Sequence, residues 1–178
     1  MSPGGGHVRL RAWLGTLVFL VVTPGVVAGL IPFWITGWRM AWDGGWSSPI
    51  ALAAVIAVAA GILVLLDAFV RFARADGTPA PPMPTQHLVV AGPYRFVRNP
   101  MYVAVLTIIL GQALLFRSVG ALVYAGVVLA MVSLFVRGYE EPTLEEEYGE
   151  EYREYQRHVR AWLPRLRPWR QSAEPHTD

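Results

Sequence analysis

No cysteine occurs among the 178 residues, which excludes disulfides, thiolate metal ligands and cysteine nucleophiles. Lysine is missing too, so all 15 basic residues are Arg. Charge of either sign is scarce, at 16% of the chain, against a hydrophobic fraction of 54% and a mean hydropathy of +0.38. Those values lie on the membrane side of the globular range. The four His are scattered without metal-ligand spacing, and no nucleophile triad can be assembled, so neither metal nor covalent hydrolase chemistry is expected. The net charge is only +2. The placement of the charges carries more information than their sum.

What is present is a series of long apolar runs. The first covers residues 12–34, long enough for the ~20 residues a bilayer needs, with Pro24 and Gly25 in its middle as the expected kink. It exceeds a signal-peptide core and reads as a retained anchor. A short loop with Trp38, Trp42 and Trp46 follows, residues suited to the headgroup region. The second run covers 49–70, opening on Pro49, and Asp67 and Arg71 near its end are spaced i,i+4 for pairing. The third and fourth runs, 100–116 and 119–137, are separated by Arg117 and Ser118 alone, which predicts a tight helical hairpin.

The fold class expected is therefore all-α: one integral-membrane domain of about four transmembrane helices, with a C-terminal amphipathic cytoplasmic helix. Leu144, Tyr148, Tyr152 and Tyr155 recur at helical spacing within an otherwise acidic stretch and define that last helix. Beyond it an Arg/Trp tail suits anionic headgroups. Arg is concentrated in the N-terminal tail, in the loop 71–99 and in the segment 138–178. Positive-inside logic puts both termini and the 71–99 loop on the cytoplasmic side of a membrane, taken as a bacterial inner membrane. The two chemically rich segments then share one side.

A structureless loop of that length is uncommon unless it is functional or disordered. Its aromatics and closely spaced Arg predict an ordered functional loop, with an extended Pro79–Pro84 stretch. It ends in Gly92-Pro93-Tyr94-Arg95-Phe96-Val97-Arg98-Asn99-Pro100-Met101-Tyr102. Pro100 suits the mouth of a helix, where free backbone N–H groups favour an anion, and Arg98 can clamp a carboxylate or phosphate. The plainer reading is an interfacial turn with Arg on headgroups and Tyr in the aromatic belt. The second constellation is Arg137 with Glu140 and Glu141, of which Arg137 and Glu141 are spaced i,i+4. Its plainer reading is a solvated ion pair ending a span. The run Glu145–Glu147 reads as a solvated face.

Together, HLVVAGPYRFVRNPMY (87–102) and EEPTLEEEYGEEYREYQRHVRAWLP (140–164) resemble the isoprenylcysteine carboxyl methyltransferase superfamily, including its small bacterial members and the related phospholipid methyltransferases. The family patterns are LV-x-x-GPY-x-x-x-RHP-x-Y and EE-x-x-L-x-x-x-(F/Y)G-x-x-Y-x-x-Y. The resemblance covers roughly the last 95 residues of the chain; the first two runs match in hydrophobicity alone. One position departs: Asn99 stands where the family has His. Asn hydrogen-bonds but does not titrate, which is tolerable for a contact and not for a base.

The resemblance implies a membrane-embedded methyltransferase that uses S-adenosyl-L-methionine at the cytoplasmic face without a Rossmann domain. It implies cofactor contacts from Gln86, His87, Leu88, Val89, Tyr94, Asn99, Pro100, Tyr102 and Glu140. Arg98, Arg137 and Glu141 are the candidates for the catalytic role. The acceptor implied is lipophilic, with a carboxylate, thiol or amine head, reaching the site from the lipid bilayer; neither nucleic acid nor metal is an expected partner. The alternative is a non-catalytic membrane scaffold or assembly protein that keeps the fold. Spans nearly free of charge, apart from Asp67 near one end, argue against a transporter or channel.

Overall fold

A computed structural model of the chain describes residues 22–39, 49–74, 88 and 90–169. The N-terminal tail, Trp42 and Trp46, the Pro79–Pro84 stretch, Gln86, His87 and Val89 lie outside the described residues. The regular structure of the described part is all helix, with no strand among the described residues. Helix α1 runs Val22–Thr36, α2 Pro49–Arg74, α3 Pro100–Leu115 and α4 Val119–Phe135. A wide π-helical turn, Val136–Glu140, joins α4 without a break to α5, Glu141–His158. Two of the described helical stretches are long and apolar enough to cross a membrane, one being α2 and the other beginning with α4. Helices α1 and α3 are apolar but shorter.

Helices α2 and α3 form the tightest pair, and small residues make this possible. A Cβ on Gly61 of α2 would lie 2.7 Å from Ile108 Cγ1 and 2.9 Å from the Ala104 carbonyl oxygen. Reciprocally, a Cβ on Gly111 of α3 would lie 2.7 Å from Val58 Cγ2 and 3.1 Å from the Ala54 carbonyl oxygen. Buried Ala51, Ala54 and Ala68 continue the flat face of α2. Close backbone approach through small residues is the packing mode open to helices in lipid, where apolar burial offers little drive. Helices α3 and α4 close as the hairpin the Arg117-Ser118 break predicts. Arg117 takes a left-handed conformation, φ 50°, and the Ser118 hydroxyl caps α4 by accepting from the Ala121 N–H at 3.1 Å.

Helix α1 departs from regularity one turn later than Pro24 and Gly25 suggest. The wide turn is Val26–Leu30, closed by the Ile31 N–H on the Val26 carbonyl, and the residue after Ile31 is Pro32. Proline has no N–H and clashes with the carbonyl four residues back, here that of Ala28. The freed carbonyls are taken up by side chains from the neighbouring helices: Gln112 Nε2 donates to the Ala28 oxygen at 2.6 Å and the Tyr124 hydroxyl to the Val27 oxygen at 2.9 Å. Backbone carbonyls shielded from water need protein partners, and this need pins α1 to α3 and α4.

Substituting Gly61 or Gly111 by Leu should lower stability by about 1–3 kcal/mol, the usual cost of overpacking. Thermal unfolding in detergent should show this as a fall in Tm. Gly126→Leu serves as control, since a Cβ there meets none of the described residues within 4 Å, and it should leave Tm unchanged.

Candidate functional site

The end of α2, the start of α3 and the end of α4 meet at one end of the bundle. Asp67 and Arg71 form the anticipated pair, Nε to Oδ2 2.8 Å. The Arg71 guanidinium lies across Gly92, which opens a single 3₁₀ turn, Gly92–Arg95, in a left-handed conformation, φ 54°. A side chain there would be strained in φ and would displace Arg71. Asn99 is the residue before α3, as the Asn-Pro pair predicts, and Pro100 is its first helical residue.

The chain then does something the sequence does not announce. After α5 it returns as an irregular, bending strap, residues 159–169, and pairs main chain to main chain with the 95–99 loop. The Arg98 N–H donates to the Arg160 carbonyl at 2.9 Å and the Asn99 N–H to the Ala161 carbonyl at 3.3 Å. In the other direction, the Arg165 N–H donates to Phe96 O and the Trp169 N–H to Arg95 O, each at 2.9 Å. Two side chains reinforce the seam: Asn99 Nδ2 donates to Ala161 O at 3.3 Å and Arg95 Nε to Trp169 O at 2.8 Å.

Helix α5 locks the strap in place. Gly149 sits inside it with φ 54° and ψ −124°, a kink open to glycine. Beyond the kink Tyr152 and Tyr155 are buried with Val159 and Trp169, and Leu88, Val90, Leu144 and Tyr148 pack around them. The predicted apolar stripe of α5 is real, but it faces the loop and the strap. Trp169, expected at headgroups, is buried between Tyr155 and His158, with ring centroids 5.7 Å and 5.5 Å away. The Tyr155 hydroxyl donates to the Tyr94 carbonyl at 2.6 Å, and burial raises its pKa, keeping it a donor.

Around this seam the two motifs touch. The Tyr102 hydroxyl donates to Glu140 Oε2 at 3.0 Å, and Arg98 meets Glu141, Nη2 to Oε1 2.8 Å. Both atoms of that ion pair belong to largely buried side chains, 14% and 22% exposed. Arg98 Nε is buried with no hydrogen-bond partner among the described residues, so the guanidinium keeps a donor to spare. Trp162 of the strap leans over Tyr102, ring centroids 6.5 Å apart.

The π turn explains the choice of partners. It is closed by the Glu141 N–H on the Val136 carbonyl, and Pro142 follows, repeating the arrangement at Pro32. The extra residue in the turn re-phases the helix. The i,i+4 pairing of Arg137 with Glu141 that a regular helix allows does not form; Glu141 joins Arg98, and Arg137 is exposed.

Of the sequence candidates, Arg98, Tyr102, Glu140 and Glu141 come together. Tyr94, Asn99 and Pro100 are buried by the chain itself and frame the site. Leu88 packs on the α5 tyrosines. Sequence reasoning missed Trp162, although a Trp between an Arg-rich segment and a proline is the signal that marks it.

Burial raises the Glu140 carboxyl above the ordinary glutamate range; the Tyr102 hydrogen bond opposes the shift and the neighbouring Glu141 adds to it. A carboxyl raised by folding contributes its full share of stability below the ordinary glutamate value of ~4.3 and loses it as pH rises through the folded value. Wild type should therefore lose Tm relative to Glu140→Gln between mildly acidic and neutral pH; parallel pH curves for the two proteins would show that Glu140 is not so placed.

The family model for phospholipid methyltransferase matches residues 49–151, more than half of the chain. The match runs from the start of α2 into α5; it includes the whole of the first motif and the opening of the second, through Glu151, and stops short of the strap. No curated protein and no solved structure matches the chain.

Proposed function

The chain belongs to the phospholipid methyltransferase family, within the isoprenylcysteine carboxyl methyltransferase-like superfamily, and we propose that it transfers methyl groups from S-adenosyl-L-methionine to a lipophilic acceptor. The observation that carries this reading is the Tyr102–Glu140 hydrogen bond, which joins the two family motifs at one point. When bound, S-adenosyl-L-methionine supplies a methyl group on a sulfonium, already a good leaving group. The chain then has to position an acceptor and exclude water, with no nucleophilic side chain required.

The residues present fit that demand. Tyr102 and Trp162 offer two aromatic faces and Glu140 a carboxylate, a combination that attracts a cation such as a sulfonium or an amine. Arg98 has a buried donor without a partner among the described residues, suited to a carboxylate or phosphate on either the cofactor or the acceptor. Glu141 holds the Arg98 guanidinium in place. Asn99 ties the start of α3 to the strap through its amide N–H, a task that needs a donor and no titration, so the absence of His is compatible with activity. Gln86, His87 and Val89 are proposed to complete the cofactor's surroundings. Arg137, exposed at the end of α4, is proposed to meet the acceptor's head from the membrane side.

In this reading the chain is a single domain with four spans in an inner membrane, both termini cytoplasmic. The acceptor slides in laterally from the bilayer, since both motifs adjoin apolar helices. Supporting this, the apolar faces of α2 and α4 are broadly exposed, with Leu63, Met131 and Leu134 among the least covered.

Calorimetry with S-adenosyl-L-methionine, followed by incubation of labelled cofactor with total membrane lipid, tests the proposal. Wild type should bind and label a lipid. Trp162→Ala should weaken cofactor binding by roughly 2- to 30-fold, the equivalent of the ~0.5–2 kcal/mol in a cation–π contact. Protein that unfolds cooperatively yet binds no cofactor would favour a scaffold role instead.

A further inference from the structure

The strap carries side chains for which the site has no use. Trp162 and Trp169 face inward, but between them Leu163 is 64% exposed and Leu166 is 101% exposed, with none of the described residues packed on it. Arg160 and Arg167, on either side of the pair, are exposed as well. Among the described residues neither of these two arginines belongs to an ion pair. A bare leucine on a free tail would mean little. This one is held, because the N–H groups of Arg165 and Trp169 on either side of it are bonded to the loop carbonyls of Phe96 and Arg95.

The depth of the strap follows from the length of α3. Its 16 residues span about 24 Å at ~1.5 Å each. The hydrocarbon core of a bilayer is about 30 Å thick. A helix that short, if it spans, has its ends at or within the boundary of the hydrocarbon. The strap is bonded to Asn99, the residue immediately before α3, and Trp162 reaches Tyr102 inside its first turn. The strap therefore lies at the level where acyl chains give way to headgroups.

We infer that residues 160–167 are an interfacial anchor for an anionic leaflet. Leu163 and Leu166 enter the boundary between headgroup and acyl chain, and Arg160 and Arg167 meet lipid phosphates. The two leucines leave water, and the two unpaired cations gain counter-charges. The charge of this surface is complementary to anionic lipid. Since Leu163 adjoins Trp162, the anchor also steadies the aromatic that leans on Tyr102. The inference rests on the membrane-spanning reading proposed above.

The lack of native cysteine permits a clean test with full-length protein in nanodiscs. Single variants Leu166→Cys and Leu163→Cys carry a bimane label, and the lipids carry nitroxide either at the headgroup or deep in the acyl chain. Val127→Cys on α4, 50% exposed, is the membrane reference, and Glu146→Cys on the exposed side of α5 is the water reference. In phosphatidylcholine with phosphatidylglycerol, headgroup nitroxide should quench the label at 166 roughly twofold or more above the water reference. Quenching should fall in phosphatidylcholine alone, and Arg160→Gln with Arg167→Gln should abolish that difference. Quenching by deep nitroxide at Val127 with none above reference at 163 or 166 overturns the anchor and leaves the membrane reading standing. No quenching at Val127 overturns both. Equal quenching at 166 in the two lipids overturns the recognition of anionic lipid.

Discussion

A main-chain segment before the start of a helix has polar groups that no helix satisfies, and where it is buried it cannot rely on water for them. The 95–99 loop meets this constraint by pairing with the 159–169 strap, through four backbone bonds of 2.9–3.3 Å. The rest of the site depends on that seam. It brings Trp162 to Tyr102, buries Trp169 against Tyr155, and fixes the Arg98 main chain from which the guanidinium reaches Glu141. Asn99 adds an amide bond to the same seam, so the residue at the family's His position contributes here as a fastener.

Proline acts twice in this fold in the same way. Pro32 and Pro142 each follow the residue that closes a wide turn, Val26–Leu30 in α1 and Val136–Glu140 after α4. In each case the turn relieves the clash between a proline ring and the carbonyl behind it. The first releases carbonyls that Gln112 and Tyr124 capture, which binds α1 into the bundle. The second rotates the helix so that adjacent residues serve different partners, Glu140 going to Tyr102 and Glu141 to Arg98. Without that rotation Glu141 would lie on the Arg137 face of a regular helix.

Much of this was legible in the residues. The Asn99-Pro100 start of α3, the Arg117-Ser118 hairpin, the Asp67–Arg71 pair and the tyrosine stripe of α5 all arise from local spacing, and local spacing is what a sequence displays. The meeting of Tyr102 with Glu140 agrees with the expectation that two chemically rich segments flanking a pair of apolar runs share one end of the bundle. What stayed hidden depends on long-range closure. The sharp change from apolar to acidic at Tyr139 suggests a break, yet α4 continues through the π turn into α5, since Pro142 widens the helix without ending it. The aromatic residues of the tail suit a headgroup layer equally well in isolation. Only the return of the chain onto the loop decides that Trp162 and Trp169 turn inward while Leu163 and Leu166 stay outside.

The chemistry proposed asks for few side chains but for one junction. Aromatic faces, a carboxylate and a guanidinium with a spare donor have to stand together although they come from three separate stretches of chain. The most direct measurement is a double-mutant cycle on Tyr102→Phe and Glu140→Leu, read by unfolding in detergent at neutral pH. A hydrogen bond to a charged group, half-buried as this one is, should give a coupling energy of about 1.5 kcal/mol or more. Effects that add to within about 0.5 kcal/mol would mean that the two motifs do not share a site.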